Sequence, residues 1–305
     1  MGKLIDGKWE IDPQFTKTES GEFKRQDSVY RSSVGSDLLA EKDRFHLYVS
    51  YACPWAHRTL IMKNLKGLDP LIDISIVHPD MMDHGWSFDS YKDGVVGDKL
   101  FASKHLSEIY VKDDPSVSTR VTVPILFDKK ENKIINNESS EIIRQFNGFS
   151  QINPTDYYPE NLRTEIDSWN ERIYHNINNG VYRSGFARSQ SAYEDAVLPM
   201  FKLLDEIDAH LDGKSFLIGE SLTEADIRLY PTLIRFDLVY FTHFKCNLKM
   251  IKDYKHIQRY MEGLYKLEAF SSTTNFDHIK RHYYYSHESI NPNRIVPVGP
   301  LNNFK

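Results

Sequence analysis

The chain has 305 residues, of which 40% are hydrophobic, so it can bury a substantial core and is predicted to form two domains. Its net charge of −5 and its scattered Lys and Arg residues give no sign of the basic surface that nucleic-acid binding requires. Two cysteines are too few for a disulfide framework, and no apolar run approaches 18 residues, so we expect a soluble cytoplasmic protein that neither spans nor binds a membrane.

Residues 1–44 are polar and rich in turn residues, such as Asp12 followed by Pro13 and Ser20 followed by Gly21. We predict that they form an irregular N-terminal arm laid over the following domain. The stretches 23–25 and 30–31, which combine an aromatic residue with Arg, are candidate anchors for this arm.

A strand, a tight turn and a helix are predicted around Cys53. The apolar run 45–50 has strand character, Pro54 suits the first position of a helix, and residues 54–66 have helical spacing. Cys53 therefore lies at the amino end of a helix, where unpaired N–H groups and the helix dipole favour the thiolate. We expect a thiol pKa below the usual value, which would make Cys53 a nucleophile at neutral pH.

The position at which a C-x-x-C motif would have its second cysteine is occupied by Ala56. Because no internal disulfide can form at this turn, the chemistry is predicted to pass through a mixed disulfide with an external thiol. Cys246 is expected to be a buried bystander, and His57 to pack beneath the helix rather than tune the thiol.

The next strand is predicted at 71–78 and completes a βαβ unit with a right-handed crossover. The polar segment 80–118 then interrupts the fold and is too long for an ordinary connection, so we expect it to be functional. It carries Trp86 just beyond a strand end, which is where sheet proteins bind ligands.

A hairpin is predicted from 121–127 and 133–135. Pro124 cannot donate to a strand ladder, which places it at the strand start, and its isomer is left open. The segment 136–140 precedes a helical run at 141–146, so its N–H groups suit a carboxylate and Glu138 suits an ammonium group. An amino acid head group carries one of each.

The order β-α-β followed by β-β-α is the thioredoxin-like arrangement and covers residues 45–146, with the insertion at 80–118. After a linker, residues 160–305 are predicted to form an all-helical domain with a C-terminal extension, whose helices span about 160–178, 190–211, 223–243 and 253–268. Thr223 and Asp226 form a capping box at the start of the third helix, flanked by a hydrophobic staple.

Five motifs in this order resemble the glutathionyl-hydroquinone reductases, the xi class of the omega-like glutathione transferases. They are Tyr-Ala-Cys-Pro-Trp-Ala-His-Arg at 51–58, Gly-Trp-Ser-Phe at 85–88, Arg-Val-Thr-Val-Pro-Ile-Leu at 120–126, Ile-Asn-Asn-Glu-Ser-Ser-Glu-Ile-Ile-Arg at 135–144 and Gly-Val-Tyr-Arg-Ser-Gly-Phe-Ala at 180–187. The resemblance extends over nearly the whole chain, from Phe23 to about Pro300.

The resemblance implies a role for each matching residue. Cys53 would be the nucleophile, and the residues that hold glutathione would be Trp86, Arg120, Val123 (through its backbone), Glu138 and Ser139 (both at the γ-glutamyl head). The residues that face the hydroquinone would be Tyr182, Tyr240 and Tyr283, although Tyr284 and Tyr285 compete with Tyr283 for its role. The resemblance also implies a homodimer.

We therefore expect a glutathione-dependent oxidoreductase that releases hydroquinones from glutathionyl-hydroquinones through a Cys53–glutathione mixed disulfide. Two alternatives remain open, an omega-like thioltransferase or dehydroascorbate reductase and a glutathione-fold binding protein without turnover. No metal site is predicted, because His278, His282 and His287 lack the carboxylate or cysteine spacing of a zinc site.

Overall fold

The computed structural model describes residues 2–11, 18 and 20–300, and these form two compact units. The first unit takes its described residues from 1–15, 26–156 and 273–286, and the second from 16–25, 157–272 and 287–305. The predicted turn at Asp12 and Pro13 and the last five residues of the predicted C-terminal extension lie outside the described residues.

The first unit begins with a two-stranded antiparallel sheet, β1 (Gly2–Ile5) and β2 (Lys8–Ile11), followed by the short helix α1 (Ser36–Leu39). The prediction of an irregular arm is therefore wrong for these residues. The cause is tertiary pairing, because Leu4 of β1 exchanges backbone hydrogen bonds of 2.8 and 3.0 Å with Thr119, a distant segment that local sequence does not reveal.

A mixed four-stranded sheet with two helices forms the core of the first unit. Its elements are β3 (Phe45–Val49), α2 (Pro54–Leu65), β4 (Asp73–Ile76), α3 (Ser107–Asp113), β5 (Ile125–Asp128), β6 (Lys133–Asn136) and α4 (Ser139–Asn147). The strand order is β4-β3-β5-β6, with β3 parallel to β4 and antiparallel to β5. This confirms the predicted thioredoxin-like arrangement.

Two strand boundaries differ from the prediction, since β4 is shorter than 71–78 and β5 begins at Ile125 instead of residue 121. In β5 the ladder to β3 starts with the pair formed by Ile125 and Tyr48, directly after Pro124. Proline has no N–H to donate, which explains why the pairing starts beyond it.

All the regular structure in the described residues of the second unit is helical. Its helices are α5 (Arg163–Ile173), α6 (Gly180–Gly185), α7 (Gln190–His210), α8 (Glu224–Arg235), α9 (Phe241–His243), α10 (Lys255–Tyr265) and α11 (Glu268–Ser271). One face of α7 is apolar and buried, and it carries Ala196, Val197, Met200, Phe201, Leu203, Leu204 and Ile207. The predicted capping box of α8 is also present, with both reciprocal contacts between Thr223 and Asp226.

Two of the predicted long helices are interrupted by π-helical turns, at Tyr174–Asn178 and Phe236–Tyr240. Such turns insert one residue into the helical hydrogen-bond ladder and are frequent at functional sites. A further helix, α12 (Phe276–Ser286), belongs to the first unit and was not predicted. Its buried face carries His278, His282 and Tyr283 beside a single aliphatic residue, Ile279, so it lacks the aliphatic periodicity by which a helix is recognised. Within the described residues, no helix is long and apolar enough to cross a membrane.

Candidate active site

Cys53 is the residue that caps the amino end of α2, in extended conformation with φ −79° and ψ 121°. Its N–H donates to Ser50 O at 3.2 Å, which closes the turn after β3, and its carbonyl accepts the first helical bond from His57 N at 3.0 Å. The residue is half-buried and carries a thiol. The turn and the helix thus hold the sulfur at the positive end of the helix dipole, as predicted from the sequence.

Val123 lies beside Cys53. The thiol of Cys53 donates to the carbonyl oxygen of Val123, with an Sγ–O distance of 3.7 Å. The peptide bond between Val123 and Pro124 is cis. The structure therefore brings the predicted nucleophile next to the backbone that was predicted to contact glutathione.

His57 of the first unit and Cys246 of the second are both buried, as the sequence predicted. His57 is fully buried, and its Nε2 lies 3.0 Å from Thr273 Oγ1, so the predicted packing beneath the helix is confirmed. Cys246 is fully buried in the second unit, and this burial raises the pKa of its thiol well above the usual value. Burial therefore favours the neutral thiol at Cys246.

The amino end of α4 gathers Glu138 and Ser139. Glu138 is the capping residue, and its carboxylate accepts hydrogen bonds from Ser140 N at 3.0 Å, Ser140 Oγ at 2.9 Å and Ser28 Oγ at 3.2 Å. Ser139 is buried, and its Oγ lies 3.5 Å from Nη1 of Arg58, a residue of α2. Side chains thus link the starts of α2 and α4, and both helix ends favour bound negative charge.

Trp86 is buried in the loop after β4, and its ring stacks on His282 of α12 with a centroid distance of 4.8 Å and an interplanar angle of 20°. His282 Nδ1 lies 2.7 Å from the carbonyl oxygen of Pro79. Asp80, the residue after Pro79, forms a two-pronged ion pair with Arg281 of α12, with both N–O distances at 2.8 Å. Helix α12 therefore holds the loop that carries Trp86.

Tyr283 follows His282 on α12 and is also buried, with its ring centroid 5.3 Å from that of His282. Tyr284 is buried as well, whereas the half-buried Tyr285 ring lies 3.6 Å from the guanidinium of Arg281. These contacts group Tyr283 with Trp86 through His282. The choice of Tyr283 over Tyr284 stays a prediction.

Tyr182 and Tyr240 lie together in the second unit, with ring centroids 6.2 Å apart. Tyr240 is fully buried at the end of the second π-helical turn, and both rings pack at 5.5 Å against Phe244. The guanidinium of Arg25 lies 4.8 Å from the Tyr182 ring centroid, so the predicted anchor at 23–25 contacts a predicted site residue.

Comparison with known proteins places both units in one family. The model of the glutathione S-transferase N-terminal domain matches residues 52–147, and that of the C-terminal domain matches residues 190–263. Glutathionyl-hydroquinone reductase PcpF of Sphingobium chlorophenolicum is 50% identical over 303 residues, which cover 98% of this chain and 96% of the relative. Glutathionyl-hydroquinone reductase YqjG of Escherichia coli K12 is 48% identical over 313 residues, covering 98% and 95%.

The chain belongs to the xi-class glutathione transferases, the family of the glutathionyl-hydroquinone reductases.

Solved structures agree with this assignment. The glutathione-bound structure of YqjG has a TM-score of 0.91 and 45% identity, covering 99% of this chain and 97% of its own. The xi glutathione transferase of Phanerochaete chrysosporium also has a TM-score of 0.91, with 49% identity over 93% of this chain and 94% of its own. The recognition from five sequence motifs is therefore confirmed.

Two supports of this xi-class site were not recognised in the sequence. One is α12, described above. The other is the β1–β2 hairpin, where Trp9 Nε1 donates to Asp83 O at 2.8 Å and Leu4 pairs with Thr119, the neighbour of the half-buried Arg120. Gly85 has φ +75°, and a Cβ there would lie 2.8 Å from Cη2 of Trp9, so glycine permits both the turn and the close packing.

No group of three or more His, Cys, Asp or Glu side chains that could hold a metal ion occurs among residues 2–11, 18 and 20–300.

Proposed function

We propose that this xi-class transferase reduces glutathionyl-hydroquinones to hydroquinones, with a second glutathione as the reductant. The observation that carries the proposal is the position of Cys53, whose sulfur caps α2 and lies 3.7 Å from the carbonyl oxygen of Val123. Support for the substrate comes from the relatives of about half identity that bear the name glutathionyl-hydroquinone reductase. The glutathione-bound relative supports the co-substrate.

In the first half-reaction, the Cys53 thiolate attacks the sulfur of the glutathionyl group. A sulfur–sulfur bond forms, the bond from sulfur to the aromatic ring breaks, and the ring carbon takes the electron pair and a proton. The hydroquinone leaves, and Cys53 remains in a mixed disulfide with glutathione. An aromatic carbon is a poor leaving group, so this step requires a ring tautomer and proton donation.

In the second half-reaction, the thiolate of another glutathione attacks the glutathionyl sulfur of the mixed disulfide. Oxidised glutathione leaves and the Cys53 thiolate is regenerated. The two electrons that reduce the ring therefore come from two glutathione sulfurs. Ala56 supports this route, because it leaves no second cysteine in the turn to resolve the mixed disulfide internally.

For glutathione itself we propose binding by Trp86, Arg120, Val123, Glu138 and Ser139. Glu138 is suited to the ammonium of the γ-glutamyl head, and the N–H groups at the start of α4 are suited to its carboxylate. For Tyr182, Tyr240 and Tyr283 we propose hydrogen bonds to the hydroquinone oxygens and proton delivery to the ring. This division assigns the glutathione-binding domain to 45–146 and the helical domain to 160–305.

The experiment that tests the activity compares three substrates with glutathione as reductant, namely a glutathionyl-hydroquinone, hydroxyethyl disulfide and dehydroascorbate. We expect the highest kcat/KM for the glutathionyl-hydroquinone. Equal or better turnover of the other two would assign the chain to the thioltransferases or dehydroascorbate reductases. Absence of turnover, together with a Cys53 thiol that titrates at 8.5 or above, would leave a binding protein.

We further propose that the protein acts in the cytoplasm as a homodimer. The two-cysteine composition supports a reducing compartment, because neither cysteine has a role in a disulfide framework.

A further inference from the structure

The insertion at 80–118 contains α3. Tyr110 on this helix is fully buried, and its hydroxyl bonds to residues that lie outside the strands of the sheet. Tyr110 Oη donates to the carbonyl oxygen of Thr122 at 3.0 Å and accepts from Thr122 N at 3.3 Å. It also accepts from Nδ2 of Asn137 at 3.1 Å. Thr122 Oγ1 also lies 3.5 Å from this hydroxyl, so the phenol is fully hydrogen-bonded within the fold.

These bonds hold the two segments on which glutathione binding is proposed to depend. Thr122 precedes Val123, lies outside β5, and has both of its backbone polar groups bonded to the one phenol. Asn137 precedes Glu138, and its side chain ties Tyr110 to the amino end of α4. A backbone segment outside the sheet needs partners of this kind when it is buried.

The start of α3 is bonded to a third such segment. Leu106, which caps α3, donates from its N–H to the carbonyl oxygen of Trp86 at 2.9 Å. At the other end of the helix, Asp113 Oδ1 accepts from Ile134 N at 2.8 Å and so anchors α3 to β6. Helix α3 is thus fixed to the sheet and contacts the segments of Trp86, Val123 and Glu138.

We propose that Tyr110 is a positioning residue for glutathione, and that the insertion serves to set the spacing between the segments of Val123 and Glu138. The inference rests on the proposed function, since it assumes that these segments hold glutathione. A tripeptide that is held at several points binds tightly only when those points lie at the correct distances from one another. A contact residue that is displaced no longer reaches the ligand, and its contribution to the affinity is lost. Tyr110 itself touches neither sulfur nor ring in this scheme.

The test is the affinity of the full chain for reduced glutathione, measured by titration calorimetry for wild type, Tyr110→Phe and Tyr48→Phe. Tyr48 is the matched control, because it is a fully buried tyrosine of the same unit whose hydroxyl donates to Asp98 of the insertion at 3.1 Å and not to the segments of Val123 or Glu138. We expect Tyr110→Phe to raise the Kd about three- to tenfold and Tyr48→Phe to leave it within about twofold. Both variants should lose some thermal stability.

A second variant, Asn137→Ala, removes the same link from the other side and carries the test if Tyr110→Phe does not fold. Because both variants break the same hydrogen bond between Tyr110 and Asn137, the double variant should raise the Kd by less than the product of the two single effects. An unchanged Kd in Tyr110→Phe, or an equal rise in Tyr48→Phe, would overturn the inference while the activity of the wild type stands. A wild type without affinity for glutathione would overturn the proposed function and the inference with it.

Discussion

At the scale of single residues, the two cysteines show how location decides the chemistry of one side chain. Cys53 caps a helix and is half-buried, whereas Cys246 is enclosed, with its thiol pKa raised by burial. A thiolate is the reactive form, so the helix end favours reactivity and the enclosed position opposes it.

Replacing the sulfur of Cys53 tests this contrast. We expect Cys53→Ser to lower kcat/KM for a glutathionyl-hydroquinone by at least about a thousandfold while the circular dichroism spectrum is retained, because a serine hydroxyl stays protonated at neutral pH and has no sulfur to form the mixed disulfide. Cys246→Ala is the control and should keep kcat/KM within about threefold. Appreciable turnover by Cys53→Ser would exclude it as the nucleophile.

The contribution of the tyrosine hydroxyls can be measured separately from the sulfur chemistry of Cys53. Tyr182→Phe, Tyr240→Phe and Tyr283→Phe should each slow hydroquinone release by about ten- to a hundredfold, since proton donation contributes about that much or more. Exchange with hydroxyethyl disulfide, which has a sulfur leaving group, should change by less than about threefold.

A matched control for these variants is Tyr193→Phe, whose hydroxyl donates to the carbonyl oxygen of Lys245 at 2.6 Å in the same unit as Tyr182 and Tyr240. It should leave both activities near the wild-type values. Equal small losses with both substrates in all the variants would indicate that the three tyrosines contribute only packing.

At the scale of secondary-structure elements, the parallel pair of β3 and β4 contains a titratable group with a marked shift. His46 of β3 is fully buried, and its Nε2 lies 2.8 Å from Ser75 Oγ of β4. Burial lowers the pKa of His46 from 6.5 to about 4. The folded state therefore binds this proton less tightly than the unfolded state does.

This shift predicts a loss of stability on mild acidification. For a group whose folded pKa is lowered, the stabilisation is complete above the unfolded value of 6.5 and is lost as the pH falls towards about 4. His46 alone should lower the free energy of unfolding by about 2 kcal/mol between pH 7.5 and pH 5. Urea denaturation at the two pH values measures the change.

The same measurement on His46→Gln supplies the control, because glutamine keeps a polar side chain but does not titrate. Between pH 7.5 and pH 5, we expect the free energy of unfolding of this variant to fall by about 2 kcal/mol less than that of the wild type. An unaltered pH dependence would mean that His46 is not the group responsible. His78 and His278 also have pKa values lowered by burial, so some dependence in the same direction should remain.

At the scale of the whole molecule, the prediction concerns assembly. Light scattering coupled to size-exclusion chromatography at micromolar concentration should give about twice the 35.6 kDa mass of one chain, as expected of a closed two-fold dimer. Because dimer formation is concentration-dependent, dilution should convert the species to single chains if the interface is weak. A single-chain mass at every concentration would contradict the homodimer.

Much of the fold follows from local sequence. The strand, turn and helix around Cys53 are specified by β-branched residues, proline and helical spacing, and the capping box of α8 is specified by the order of Thr223 and Asp226. These signals depend on neighbours within one turn or one strand. The family could be recognised for a related reason, since its motifs are short continuous stretches.

The supports of the site could not be predicted in this way, because they join residues that are distant along the chain. Tyr110 reaches Thr122 and Asn137, α12 holds the loop of Trp86 through His282, and the hairpin at the amino terminus pairs with Thr119. A tyrosine or histidine of this kind has no local pattern, since its partners are set by packing. The sequence by itself thus specifies the cysteine that caps α2 and the framework around it, whereas folding brings together the side chains that support the candidate site.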